Sequence, residues 1–259
     1  MNRQVSIEIL DMMIKRYGFG TLIAEFCNGV EVIESNDFYE NTMRITESEN
    51  QREKIEQCRN QFEYIDATII MPQRKNRKAY ILFREDLGFE DVIRKTIHEF
   101  VHLLHRCAIT KNMILNDLYE IEDNQDYKLF YYLDEFLTKK REITLYYDLL
   151  HKNKKVVDDD VYINTMIKAF KFAKESSKNI LDFMRNEIFA IAETMTYTKI
   201  FPDIFPKHFI ENYANISGID KIVNILRQFD SIDVYVKNKS ELEEVIAMLE
   251  RSYYTSHQK

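Results

Sequence analysis

The sequence HEFVH occupies positions 98–102 and places two histidines on either side of a glutamate. Residues four apart lie on one face of an α-helix, so the imidazoles of His98 and His102 can point at one metal ion. Zinc takes imidazole nitrogen at about 2.0–2.1 Å, and catalytic zinc sites keep one position for water. Glu99 projects about 100° around the helix from His98, which suits a general base better than a ligand. The pattern predicts one zinc ion, bound by both histidines, whose water Glu99 deprotonates.

A third protein ligand has to come from another element. His105 lies on the same helix face as His98 but about 10 Å further along, too far for both to bind one ion. Glu135 is the preferred third ligand, because bulky apolar residues flank it and an isolated carboxylate there would be costly to bury. A solvated surface position for Glu135 is the alternative interpretation. The substitutes for it are Glu142, Glu120 and Glu122.

The motif lies within a predicted helix over residues 89–107. Its apolar residues recur at helical spacing and should form one buried stripe: Ile93, Ile97, Phe100, Val101, Leu104 and Ala108. The histidines occupy a neighbouring face, open to a cleft.

Strands are predicted at residues 30–34, 64–71 and 78–84, with the last two antiparallel and joined by an exposed basic turn at 74–78. The remaining pattern is helical, over 5–17, 48–60, 89–107, 112–121, 127–151, 159–175, 177–199, 207–215, 218–229 and 240–253. These elements predict an α+β fold that is predominantly helical, with a small antiparallel sheet, the motif helix and a C-terminal helical bundle. We place a catalytic domain at residues 1–157 and a helical region at 158–259.

The composition of the chain indicates which classes of binding partner and which cellular compartment it is compatible with. The 259 residues carry a net charge of −7 and show no basic stripe, which disfavours nucleic-acid binding. Three scattered cysteines and no CxxC pair indicate a reducing compartment. No apolar segment is long enough for a signal peptide or a membrane span. We therefore expect a cytoplasmic protein that binds neither nucleic acid nor membrane.

The HExxH motif, preceded by strands and followed by a helix that bears a glutamate, resembles the zincin superfamily of metallopeptidases in its gluzincin branch. Within it the chain is most similar to the ImmA/IrrE-type metallopeptidases, which carry a leucine-rich turn and a further histidine after the motif, as in residues 102–105. That family supplies its third ligand from a later acidic helix, and the resemblance maps this ligand onto Glu135. The chain has Val101 where the family usually has glycine.

The motif and the resemblance together predict a zinc-dependent peptidase acting on a peptide or protein substrate. An extended substrate could pair with the strand at 78–84, if that strand lies at a sheet edge. The C-terminal helices would shape the cleft or bind a protein partner. The alternative is a non-catalytic helical interaction protein, with a structural or degenerate zinc site or none.

Overall fold

The computed structural model describes residues 2–62, 64–150, 159–205, 209–214, 216–235 and 237–257. Most of these residues are helical, and three strands form one sheet, which confirms the predicted α+β, predominantly helical class. The chain forms two compact units, Met1–Asn124 and Gln125–Lys259. The boundary predicted between residues 157 and 158 lies outside the described residues and stays a prediction.

The sheet belongs to the first unit and comprises β1 (Val30–Ser35), β2 (Ala67–Ile70) and β3 (Ala79–Arg84). Its order is β1-β3-β2. The predicted antiparallel pairing of β2 with β3 is confirmed, whereas β1 pairs with β3 in parallel. The sheet is therefore mixed, and the prediction of a purely antiparallel sheet is wrong in this respect. A parallel pair needs a long crossover, and the intervening helices supply it.

The helices of the first unit are α1 (Asn2–Tyr17), α2 (Gly20–Phe26), α3 (Phe38–Ile45), α4 (Glu49–Gln57) and α5 (Phe89–Met113). The side chains of Asp37 and Ser48 accept hydrogen bonds from backbone N–H groups in the first turns of α3 and α4. Such N-caps fix where short polar helices begin.

The prediction of a helix at residues 112–121 is wrong. Instead, α5 continues to Met113, and Ile114 ends it in the left-handed conformation. The chain then forms only a 3-10 turn at Glu120–Asp123. Polar side chains after Ile114 form hydrogen bonds with nearby backbone groups; the Asp117 carboxylate, for example, accepts the backbone N–H of Tyr119. Such local hydrogen bonds compete with helix formation.

The described helices of the second unit are α6 (Tyr127–Leu150), α7 (Asp159–Glu175), α8 (Ile180–Ile200), α9 (Phe209–Tyr213), α10 (Ile219–Leu226) and α11 (Lys239–His257). In this unit α8 packs against α6, α7 and α11. One buried apolar cluster comprises Ile143, Met166, Tyr197, Phe205 and Phe209. The predicted C-terminal helical bundle therefore includes the long helix α6.

Within the described part of the chain, no helix combines the length and the apolarity needed to cross a membrane.

Candidate metal centre

The motif helix α5 is fixed by the rest of the first unit. It packs against α1, α2, β2 and β3. The hydroxyl oxygens of Ser6 on α1 and Thr96 on α5 lie 2.7 Å apart in a buried hydrogen bond. The ring of Phe19 packs against that of Phe100 at 6.2 Å between centroids. Thr96 and Phe100 each lie two residues from His98 along the helix, so these contacts hold the backbone of the motif in place.

Burial of α5 is more extensive than a single stripe. Five of the six residues in the predicted apolar stripe are buried, whereas Ala108 is only partly buried. Leu103 and Arg106 are buried as well, outside this stripe. Between residues 96 and 110, only His98, His102 and Ala108 escape full burial. His98 and His102 are therefore partly exposed in a helix segment whose other residues, apart from Ala108, are buried.

The imidazoles of His98 and His102 converge. Their Nε2 atoms lie 3.1 Å apart, and the ring planes are inclined at 81°. Two nitrogen ligands bound tetrahedrally at zinc–nitrogen distances of about 2.0–2.1 Å would lie about 3.3 Å from each other. The two Nε2 atoms thus have nearly the spacing that a shared zinc ion requires.

Glu99 follows His98 and is 9% exposed. Among the described residues, its carboxylate forms no ion pair and no hydrogen bond. The carboxylate oxygens of Glu99 therefore remain available as hydrogen-bond acceptors for a group that enters beside the histidines.

Glu135 lies on α6 and is 4% exposed. The interpretation of this residue as a solvated surface glutamate is therefore wrong. Arg185 Nε lies 3.3 Å from Glu135 Oε1, and the Tyr131 hydroxyl forms a hydrogen bond with the same carboxylate. Burial, and then the charge of Glu135, raises the pKa of Tyr131.

The substitute ligands have other partners. Glu142 is buried and lies 3.3 Å from Lys139 Nζ. Glu120 accepts the backbone N–H of Asn116 at 2.6 Å and so closes the turn after α5. His105, which the distance argument from the sequence excludes as a ligand, is buried.

Glu122 takes part in a network that sequence reasoning missed. Its carboxylate lies 3.3 Å from Arg106 Nη2 and 3.0 Å from Lys54 Nζ. Arg106, on α5, also donates to the carbonyl of Leu118 at 3.2 Å. The network ties α5 to α4 and to the turn at residues 114–124. No local spacing signals it, because these residues come from three separate segments.

The strand at 78–84 cannot pair with a substrate. As β3 it is the central strand, with β1 on one edge and β2 on the other. Its alternate backbone groups are already used in both ladders, so an extended peptide has no edge to join there. The suggestion that this strand receives substrate is therefore wrong.

No protein-family model, curated protein or solved structure matches the chain.

Proposed function

We propose that the protein is a zinc-dependent metallopeptidase that hydrolyses peptide bonds in a peptide or protein substrate. The observation that carries the proposal is the convergence of the His98 and His102 imidazoles, whose Nε2 atoms lie 3.1 Å apart. Glu135 is the proposed third ligand. The resemblance of the motif to the zincin superfamily supports the same reaction.

The donor set fits zinc in its chemistry. Two imidazole nitrogens and one carboxylate oxygen are the ligands typical of catalytic zinc, and three protein ligands leave a fourth position open. Structural sites, in contrast, usually have four protein ligands. When bound, such an ion would polarise the scissile carbonyl and acidify a water molecule.

The chain's own residues supply the proton transfers and the positioning. Glu99 accepts the proton of the attacking water and then donates it to the amine nitrogen of the leaving group. His98 and His102 are placed by the buried packing of α5, and Arg185 orients the carboxylate of Glu135. The partial burial of the site limits competing solvent, which strengthens interactions with charge that develops at the carbonyl oxygen.

We also propose that the protein is cytoplasmic. Cys27, Cys58 and Cys107 are all free thiols, and Cys27 and Cys107 are buried. Burial raises the pKa of both buried thiols, which keeps them protonated and unreactive. Free cysteines are typical of proteins in a reducing compartment.

Metal analysis and three variants test the proposal. We expect the purified protein to hold about one equivalent of zinc, and His98→Ala to lose it. Glu99→Gln should retain the zinc but lower hydrolysis of a peptide library by about a hundredfold or more, as measured by mass spectrometry. Glu90→Gln, an exposed substitution in the first turn of the same helix, is the matched control and should retain both properties.

The outcomes separate the peptidase from the alternative. Full activity in Glu99→Gln would exclude the mechanism. Less than about a tenth of an equivalent of zinc, with folding intact in chelator, would favour the helical interaction protein. Stoichiometric zinc without hydrolysis of any peptide would indicate a structural or degenerate site.

A further inference from the structure

A cavity of about 360 Å³ lies in the second unit, between α6, α8 and the segment that follows α10. Its volume lies within the range of small-molecule sites. Three cationic side chains line it: Lys140 on α6, Lys199 on α8 and Arg227 after α10. Asp230 is the one acidic residue in the lining, so the charges sum to about +2 in a protein whose net charge is −7.

The positive charges in this cavity are poorly neutralised. Lys140 Nζ lies 4.0 Å from Asp230 Oδ1, but the Asp230 side chain is 89% exposed, so water screens the pair strongly. Among the residues that the structure describes, Lys199 forms no ion pair. Burial lowers the pKa of Lys140; the charge of Asp230 partly opposes this shift, and the like charge of Lys199 adds a smaller lowering. Like charges therefore lie close together in the cavity, and a bound anion would reduce the electrostatic repulsion between them.

Two of the three cations, Lys140 and Arg227, form hydrogen bonds within the protein before any ligand binds. Lys140 Nζ donates to the carbonyl of Phe229 at 3.2 Å and lies 4.9 Å from the centre of the Phe136 ring. Arg227 Nη1 donates to Asn224 Oδ1 at 3.0 Å, which leaves other N–H groups of the guanidinium for a ligand. A site with ordered donors loses less side-chain entropy on binding.

We propose that this cavity binds the phosphate group of a small molecule. A phosphate carries a charge of about −1.5 to −2 at neutral pH, which matches the local excess of about +2, whereas a carboxylate would neutralise only half of it. The planar guanidinium of Arg227 suits two phosphate oxygens at once, and the two ammonium groups contribute point charges. The hydroxyl of Thr144 donates to the Lys140 carbonyl, so the cations are the principal donors.

Binding of three probes tests the site at constant ionic strength: inorganic phosphate, pyrophosphate and AMP, each by calorimetry and by thermal unfolding. We expect at least one probe to raise the unfolding midpoint by a few degrees at about tenfold excess over its dissociation constant. Tighter binding of AMP would identify a phosphate ester as the ligand class, and equal or tighter binding of the inorganic anions would identify free phosphate.

The double variant Lys199→Met with Arg227→Met should bind the same probe at least about tenfold more weakly, because two charge-assisted contacts are lost. Lys168→Met, which removes an exposed cation of α7, is the matched control and should bind as the parent does. His98→Ala should also bind as the parent does, because His98 does not line the cavity. Absence of binding, or equal binding by the double variant and the parent, would overturn the proposal whether or not the protein is a peptidase.

Discussion

Arg185 Nε lies 3.3 Å from Oε1 of Glu135, so a half-exposed guanidinium of α8 faces a carboxylate of α6 that is itself buried. A buried carboxylate is stable in its charged form only with compensating partners. One such partner restricts the carboxylate to a single orientation and leaves its remaining lone pairs for another cation. This is the usual function of a charged group that lies behind a metal ligand.

Arg185→Met should therefore weaken zinc binding by about 10–100-fold, as loss of an orienting partner typically does. Competition with a chromophoric chelator measures this affinity. Arg185→Lys retains the charge and should recover part of the loss. Lys168→Met removes an exposed cation elsewhere in the second unit and should have no effect. An unchanged zinc affinity in Arg185→Met would show that the guanidinium does not orient a ligand.

Glu135→Gln should weaken zinc binding more than Arg185→Met does, because a neutral amide would replace the proposed ligand itself and not the residue that orients it. Glu142→Gln is the matched control, since Glu142 lies on the same helix, is similarly buried and pairs with Lys139. The chelator competition should leave the affinity of this control near that of the parent. If Glu142→Gln lost zinc and Glu135→Gln kept it, the preferred third ligand would be the wrong one.

The sequence predicts the part of the site that depends on local geometry. His98 and His102 are four residues apart on one helix, and helix geometry alone brings their Nε2 atoms to 3.1 Å. Arg185 follows Glu135 by fifty residues, and no periodicity connects them. Their pairing depends on how α6 and α8 pack, which a single sequence does not specify.

The fold, like the site, could be predicted where it depends on residues close together in the sequence. The segments of β2 and β3 are rich in Ile, Tyr and Phe, and only Pro72 and a basic turn separate them, so the sequence predicts a hairpin. The parallel pairing of β1 with β3 spans α3 and α4 and leaves no local signal. Burial of α5 on nearly all faces also exceeds the prediction, since residues such as Leu103 and Arg106 lie outside the apolar stripe but are buried by tertiary packing.

The Ser6–Thr96 hydrogen bond should show strong coupling between α1 and the motif helix. Ser6→Ala or Thr96→Val leaves one buried hydroxyl without its partner, at a cost of about 1–3 kcal/mol in the free energy of unfolding. The double variant leaves no hydroxyl unpaired and should cost less than the two single losses combined. Urea unfolding of the four proteins measures the coupling. Strict additivity would show that the two hydroxyls do not depend on each other.

The Arg106–Glu122 pair should contribute strongly to stability, because the side chains are only 9% and 17% exposed. Glu122→Gln leaves the guanidinium of Arg106 without its carboxylate and should lower the free energy of unfolding by about 3 kcal/mol. Glu31→Gln is the control, since its pair with Lys78 is largely exposed and should change stability by less than about 1 kcal/mol. Equal losses in the two variants, measured in urea, would mean that burial does not decide the contribution.

Glu187 on α8 is 2% exposed, and its Oε2 atom has no hydrogen-bond partner among the described residues. Burial raises the pKa of this carboxyl to about 8, and the positive charge of Lys174 only partly opposes the shift. The folded protein therefore keeps a proton on Glu187 at pH values where the unfolded chain has lost it. Stability that depends on this proton is greatest at low pH and falls as the pH rises towards 8.

Glu187→Gln removes this titration and should flatten the corresponding part of the stability profile. Between about pH 5 and pH 8, the free energy of unfolding of the parent should fall relative to that of the variant by up to about 1.4 kcal/mol per pH unit. Above the folded-state pKa the difference should become constant, because Glu187 is then ionised in both states. Urea unfolding at intervals of one pH unit measures the difference, with the exposed substitution Glu175→Gln as control. A constant difference between parent and Glu187→Gln from pH 5 to pH 8 would mean that Glu187 is ionised in the folded protein and has a polar partner or water beside it.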